Sequence, residues 1–121
     1  MDSTYIKGRL GENTACSFLE DKGYIILARN FVYKGYEVDI IAQDKNEIVF
    51  IEVKQRETNA FGEPYLAVNL QKQKKIIRVA DYYLRKFNID FEARFDIISI
   101  TLNNTSPKIE HIPNAFAPSL L

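Results

Sequence analysis

The spacing of apolar and polar residues divides the chain into helical and extended segments. Apolar positions recur at helical spacing in two segments, and the others carry β-branched runs with a period of two. The order αβββαβ(β) predicts an α/β fold, a mixed β-sheet flanked by helices, in one domain over 1–121. In order, the predicted elements are a helix over 4–22, a strand over 24–33, a hairpin over 36–56, a loop over 58–68, a helix over 69–87, and strands over 93–102 and 108–113, with no regular element after 113.

The central hairpin is the most informative stretch. Two apolar runs flank the polar segment 43–47, and a loop centred on that segment places Asp39 opposite Glu52. Because side chains alternate between the two faces of a strand, Glu52 and Lys54 share one face. Opposed residues have Cβ atoms roughly 4.5–5.5 Å apart, so two carboxylates meet with a lysine two residues along. Opposed like charges are destabilising, and the arrangement therefore requires a counter-ion or a proton.

Polar side chains also project into the apolar faces of the predicted helices. In the first helix, Glu12 lies between Leu19 and Tyr5 on the arc that faces the core, where a carboxylate is costly unless it has a partner. In the second helix, Gln73 projects into the buried stripe, and Lys72 lies at its edge. Gln73 could reach the hairpin face, or it could keep its amide in water as a helix-terminal residue. The stripe is predicted to contain Leu70, Ile76, Ile77, Ala80, Tyr83, Leu84 and Phe87.

Composition narrows the class of protein. The chain is 46% hydrophobic and 26% charged with a single cysteine, which is ordinary for a soluble globular domain and excludes an internal disulfide framework. The N-terminal segment lacks the apolar core of a signal peptide, and no apolar run approaches the roughly 20 residues of a membrane span. We therefore expect a cytoplasmic protein with no membrane partner.

Charge is balanced overall but unevenly placed. A net charge of zero argues against a strong sequence-independent grip on nucleic acid. Six basic residues nevertheless fall between positions 72 and 86, with one acidic residue among them. Four of them face outward on the second helix, and these are Lys74, Lys75, Arg78 and Arg85. By default they form a solvated face, and contact with backbone phosphates is the alternative.

The hairpin residues suit a divalent-metal site for phosphodiester cleavage. Hard cations take oxygen ligands, typically one or two carboxylates plus substrate phosphate, and the backbone carbonyl of Val53 could add another. The cation would neutralise the phosphate and lower the pKa of an attacking water, while Lys54 orients that water or stabilises charge growing on phosphorus. The alternative is a strand with one solvated polar face, whose surface ion pairs contribute little. From the residues alone, both interpretations stay open.

A set of motif residues with characteristic spacing extends over nearly the whole chain. It consists of Gly8, Gly11-Glu12, Gly23-Tyr24, Arg29-Asn30, Glu37-Val38-Asp39, Glu52-Val53-Lys54, Arg56, Phe61-Gly62, Lys72, Arg94-Phe95-Asp96 and Asn114-Ala115-Phe116. The set resembles the small bacterial UPF0102 (YraN-like) family, which is placed in the restriction-endonuclease-like PD-(D/E)xK superfamily alongside archaeal Holliday-junction resolvases. Within it, Asp39 matches the motif aspartate, Glu52-Val53-Lys54 the (D/E)xK element and Glu12 the helix glutamate. Tyr36 departs from the pattern, since relatives usually carry a second glycine there.

The resemblance implies a restriction-endonuclease-like sheet and Mg²⁺- or Mn²⁺-dependent cleavage of DNA, with branched DNA among the expected substrates. Asp39 and Glu52 would be metal ligands, supplemented by Glu12, and Lys54 would lie by the scissile phosphate. Resolvase-like relatives suggest a homodimer, because two symmetric cuts need two sites about a two-fold axis.

Three further residues are candidates for contact with nucleic acid. Arg56 leaves the strand next to the active face, and Lys72 and Gln73 begin the second helix. Two rival interpretations remain open: a non-catalytic nucleic-acid-binding module with the same fold, and an acidic cluster that serves only the fold.

Overall fold

The computed structural model describes residues 3–57, 68–102, 106 and 108–117. The predicted loop over 58–68, including the motif residues Phe61 and Gly62, therefore lies outside the described residues except for Val68. No helix within these ranges is both long and apolar enough to cross a bilayer. The predicted element order is confirmed. The elements are α1 (Ser3–Asp21), β1 (Ile25–Tyr33), β2 (Tyr36–Asp44), β3 (Glu47–Glu57), α2 (Leu70–Lys86), β4 (Glu92–Leu102) and β5 (Lys108–Phe116).

The strands form one mixed five-stranded sheet in the order β1-β2-β3-β4-β5. β3 and β4 run parallel, and the other neighbouring pairs are antiparallel. Two-residue loops join the first three strands, and in them Lys34, Gly35 and Lys45 have φ angles of 49°, 79° and 56°. Such left-handed residues match the twist of tight hairpins. α2 forms the crossover between the parallel strands, as the chain order requires.

A helix covers each face of the sheet, because alternation sends neighbouring β3 residues to opposite sides. Val49 and Ile51 pack with Ala15 and Leu19 of α1. Phe50 packs on the other face in the cluster that includes α2. The α2 residues of that second cluster are Ile76, Ile77, Val79, Ala80 and Tyr83. The predicted arrangement, a sheet with a helix packed on each side, is therefore present.

α2 has the predicted boundaries, but part of its predicted stripe is wrong. Asn69 caps the helix, since its Oδ1 accepts the Lys72 N–H at 2.9 Å. Leu70 and Phe87 are 54% and 51% exposed, whereas Val79, which the prediction omitted, is 1% exposed. Leu70 is the first helical residue and Phe87 the C-cap, so both lie beyond the turns that contact the sheet.

β5 runs to Phe116, three residues beyond the predicted end at position 113. Pro113 does not stop it, because β5 is an edge strand and a proline there need not donate to a neighbour. A register shift opposite Phe95 and the φ of 51° at Asn114 mark an irregularity that the strand passes through. Phe116 then stacks on Phe95 with ring centroids 5.1 Å apart, which holds the end of the strand in place.

β2 twists at Asp39. The paired positions of β2 and β3 run from the hairpin loop to Ile40 opposite Ile51, which confirms the predicted register. Val38 and Ile40 are two residues apart and would share one face of a regular strand. Instead Val38 packs in the α2 cluster and Ile40 in the α1 cluster. The twist places Asp39 at the boundary between the two packed layers.

Candidate metal-binding site

Two carboxyl groups meet where the β2–β3 ladder ends. The Oδ2 atom of Asp39 accepts a hydrogen bond of 2.8 Å from the backbone N–H of Val53. The carboxyl groups of Asp39 and Glu52 lie close enough to act on each other's pKa values. We call these two residues the acid pair. Glu52 is 7% exposed, so the convergence expected from the hairpin register occurs in a largely dry environment.

Burial makes the acid pair electrostatically unfavourable. It raises the pKa of Asp39, and the charge of Glu12 adds to the rise, while the Val53 N–H opposes it. Burial also raises the pKa of Glu52, and the charge of Asp39 raises it further. The pair therefore retains a proton at pH values where ordinary carboxyl groups are ionised.

Two lysines and a tyrosine face the acid pair. The charge of Lys54 favours the ionised form of both carboxyls and so lowers their pKa values, and Lys72 acts in the same direction on Glu52. The hydroxyl of Tyr36 donates to Glu52 Oε1 at 3.5 Å. Burial, followed by the charges of the acid pair, raises the pKa of that hydroxyl, so it remains a donor. Burial has a larger effect on the two carboxyl pKa values than the charges of Lys54 and Lys72, so both pKa values remain raised.

Glu12 approaches from α1, as its place on the inward arc predicted. Its Oε1 accepts a hydrogen bond of 2.9 Å from Asn30 Nδ2. Its Oε2 is buried, lies 3.6 Å from the guanidinium of Arg29, and accepts no hydrogen bond within the described residues. A buried carboxylate oxygen without a donor is costly. Glu12 thus brings a third carboxylate, itself partly unsatisfied, close enough to act on the pKa of Asp39.

The donor set fits a hard cation only in part. Across residues 3–57, 68–102, 106 and 108–117, no three carboxylate, imidazole or thiol groups converge to enclose an ion by themselves. Mg²⁺ is commonly held by one or two carboxylates and completes its shell with water and substrate phosphate. The acid pair supplies that minimum.

The other predicted site residues have different surroundings. Gln73 donates its side-chain amide to the backbone carbonyl of Val68 at 3.0 Å, which closes the turn before α2. Arg56 is half-buried on β3, two residues beyond Lys54. Gln55 packs against α1, because a Cβ built on Gly11 would lie 2.8 Å from its side chain. The structure therefore places Gln55 on the opposite side from Glu52, as strand alternation predicted, and does not bring Gln73 to the acid pair.

Sequence reasoning missed a second buried group of charges. Arg94 donates to Asp96 through two nitrogens, at 3.0 and 2.9 Å, and to Asp44 and Glu47 at 2.9 and 3.0 Å. It also donates to the hydroxyl of Tyr24 at 2.6 Å. We call these five residues the arginine cluster. Arg94 and Asp96 stood among the motif residues, but their spacing carries no information about partners supplied by the hairpin loop.

The family assignment rests on comparison with known proteins. The family model described as "Uncharacterised protein family UPF0102" matches residues 11–100. A UPF0102 protein of Bacteroides thetaiotaomicron is 44% identical over 113 residues, covering 93% of each chain. A UPF0102 protein of Geobacter metallireducens is 49% identical over 110 residues, covering 90% of each chain. A third, from Caldanaerobacter subterraneus, is 46% identical over 113 residues and covers 90% of this chain and 93% of its own. The motif residues and these matches agree, and the chain belongs to the UPF0102 family.

Proposed function

We propose that this protein is a metal-dependent endonuclease that binds DNA and cleaves its phosphodiester bonds. The observation that carries the proposal is the buried acid pair with Lys54 beside it. Folding gains nothing from placing two carboxyl groups together out of water, since the arrangement opposes like charges and desolvates both. A ligand that needs two adjacent oxygen donors explains it. The resemblance of these residues to the PD-(D/E)xK motif supports the same chemistry.

Each residue has a definite role in this proposal. Asp39 and Glu52 would hold Mg²⁺ or Mn²⁺, with the Val53 carbonyl as a further oxygen donor. Glu12 would join them only if its carboxylate moved toward the pair, since no three ligating side chains converge within the described residues. When bound, the cation supplies Lewis acidity that neutralises the phosphate and lowers the pKa of a water. Lys54 orients that water or stabilises the charge that develops on the phosphate.

The substrate is held by basic and polar groups around the acid pair. Lys72 lies close enough to Glu52 to act on its pKa, so a phosphate at the pair would meet this amine. Arg56 would contact the backbone beyond Lys54, whereas the side-chain amide of Gln73 already bonds the Val68 carbonyl. A homodimer would hold two such sites about a two-fold axis, which suits symmetric cleavage of branched DNA. Light scattering on the purified protein tests the dimer separately.

Cleavage assays on defined DNA test the proposal. We expect wild-type protein to cut at least one of plasmid, single-stranded, flap and four-way-junction DNA in Mn²⁺ and none in EDTA. Glu52→Gln and Lys54→Ala should each lose about 100-fold or more in rate, the usual loss for one transition-state contact. Lys108→Gln, a change on exposed β5, is the matched control and should retain activity. Equal cleavage by wild type and Glu52→Gln would show that the acid pair is not the catalytic site.

The alternative is a nucleic-acid-binding module without catalysis. It is favoured by the finding that no three ligating side chains converge within the described residues. Thermal unfolding distinguishes the two, because an ion that binds only the folded state raises the melting temperature. We expect Mn²⁺ to stabilise the wild type but not Asp39→Asn. Absence of stabilisation in both, together with no cleavage in Mn²⁺, supports the module.

A further inference from the structure

A groove lined with cations lies between the β1–β2 turn and the outer side of α2. Its wider part encloses about 660 Å³ and its narrower part about 150 Å³. Asp81 is the acidic residue on its walls, and its Oδ1 is already bonded to Arg85 at 3.0 Å. We call this cation-lined groove the basic groove. Its cationic residues are Lys34, Lys75, Arg78, Arg85 and Lys86.

Stacked aromatic rings hold two of these cations in place. The rings of Tyr33 and Tyr82 stack with centroids 4.0 Å apart and an interplanar angle of 14°. The ammonium of Lys34 lies 5.6 Å from the Tyr33 centroid, and that of Lys86 lies 5.5 Å from the Tyr82 centroid. A cation over an aromatic face is attracted to it and still presents its N–H donors to an anion. The stacked pair therefore joins α2 to the β1–β2 turn and fixes positive charge on both sides of the groove.

The basic groove leads to the acid pair. Tyr36 lines its narrow end and donates its hydroxyl to Glu52. Along α2, Lys75, Arg78 and Arg85 project within about 80° of one another at roughly 100° per residue, so they lie on one side of the helix, and Lys72 lies about 60° further round from Lys75 at the helix start. Tyr36, at the narrow end of the groove, therefore joins it to the site, and the charge of Lys72 at the start of α2 acts on Glu52 as well. From Lys72 to Arg85 the helix extends roughly 20 Å, about the rise of six base pairs along the axis of a duplex at 3.4 Å each.

We propose that the basic groove binds the sugar–phosphate backbone of a DNA strand and directs it to the acid pair. The proposal rests on the proposed nuclease function, for which it supplies the substrate path. Arginine and lysine are the usual partners of backbone phosphates, and such contacts position a strand without reading its bases. Since the net charge of the chain is zero, attraction of a polyanion must come from a local concentration of charge such as this one.

Matched charge-removal variants test the groove. Lys75→Gln/Arg78→Gln removes two charges from it, and Lys74→Gln/Lys108→Gln removes two exposed charges that do not line it. Binding of a short fluorescein-labelled DNA duplex is measured by anisotropy in EDTA, so that metal-dependent cleavage does not interfere. We expect the groove variant to bind about ten-fold more weakly and its dependence on log salt to fall by about two phosphate contacts, while the control stays within about two-fold.

The outcomes separate the groove from the nuclease. Equal affinities of the two double variants would overturn the groove, because net charge alone would then account for binding. Tighter binding of an RNA of the same sequence, lost in the groove variant, would overturn the assignment to DNA. Mn²⁺-induced stabilisation and Mn²⁺-dependent cleavage are measured on the same proteins. If the groove variant loses affinity and the wild type shows neither metal response, the groove binds DNA but the nuclease proposal fails. If the groove variant keeps its affinity and the wild type shows both metal responses, the protein is a nuclease whose substrate does not follow this groove.

Discussion

β3 and its neighbouring strands hold two groups of ionisable side chains that differ in how their charges are paired. In the arginine cluster, one guanidinium meets three carboxylates, and hydrogen bonds from His111 and the Asn114 N–H complete the shell of Asp96. Burial would raise the pKa of Asp96, yet the hydrogen bonds from His111 and Arg94 and the charge of Arg94 hold it below its ordinary value. In the acid pair, burial prevails and both carboxyl pKa values rise.

The difference shows which cluster serves the fold. Arg94 joins the ends of the two hairpin strands to β4, and each of its carboxylate partners accepts a hydrogen bond from the guanidinium. Such a buried network is complete within the chain and ties together segments distant in sequence. In the acid pair, by contrast, Glu52 comes directly after Ile51, the register partner of Asp96, and burial outweighs the charges of the lysines that act on it. An incomplete buried cluster is a candidate for ligand binding, whereas a complete one is a candidate for stability.

The comparison predicts that the largest loss of stability comes from the arginine cluster. Arg94→Met keeps an unbranched apolar stem but leaves Asp96 buried without its guanidinium partner. We expect the free energy of unfolding to fall by about 3–5 kcal/mol, the usual loss when one member of a buried ion pair is removed. Urea denaturation followed by circular dichroism measures this loss. Lys108→Gln, on the exposed edge, should unfold like the wild type, and a similar midpoint for Arg94→Met would show that the cluster is dispensable.

Asp96 should confer acid sensitivity. Its folded-state pKa lies below its unfolded-state value, so its contribution to stability is present above the unfolded value of about 4 and disappears as the pH falls through the folded one. At neutral pH we expect Asp96→Asn to lose about 1.5–3 kcal/mol, the range for hydrogen bonds to charged groups. Urea midpoints measured from pH 7 down to pH 3 should converge for the two proteins. A constant separation over that range would contradict the linkage.

In the absence of metal, Glu52→Gln should raise the free energy of unfolding, whereas Asp96→Asn lowers it. The raised pKa values of the acid pair mean that its favourable, protonated form is complete below about pH 4 and that stability is lost as the pH rises through the folded-state values. Replacing one acid by an amide removes the repulsion, so we expect a gain of up to about 1 kcal/mol at pH 8 in EDTA and a flatter pH dependence. Mn²⁺ should stabilise the wild type at pH 8 and not the variant. Destabilisation in EDTA would instead place the acid pair with the arginine cluster, as a structural feature.

Much of the geometry around the acid pair could be predicted from the sequence. Hairpin symmetry predicted that Asp39 and Glu52 converge, and the β2–β3 pairs follow the predicted register as far as Ile40 opposite Ile51. Helical periodicity predicted that Glu12 faces the core, and strand alternation predicted that Gln55 lies on the face of β3 opposite Glu52. These inferences succeed because they depend on local geometry with a fixed period.

The remainder depends on contacts between distant segments. The twist at Asp39 and its bond to the Val53 N–H follow from packing against two different helices, which no local pattern records. The partners of Arg94 come from a loop 47 to 50 residues away. Leu70 and Phe87 were predicted to be buried because periodicity does not show where the sheet ends. The metal and the substrate remain predictions from the chemistry of the site.

The smallest expected effect concerns the hydroxyl that joins the basic groove to the acid pair. Tyr36→Phe removes a long hydrogen bond of 3.5 Å to Glu52 and keeps the ring that packs against the α2 cluster. We expect stability in EDTA to change by less than about 1 kcal/mol, since one weak, partly buried hydrogen bond is lost. Mn²⁺ needs the Glu52 carboxylate and not the hydroxyl, so the metal-induced rise in melting temperature should persist. Thermal unfolding with and without Mn²⁺, beside Glu52→Gln as the reference for complete loss, measures both quantities. Loss of the metal response in Tyr36→Phe would mean that the hydroxyl, and not only the two carboxylates, orders the site.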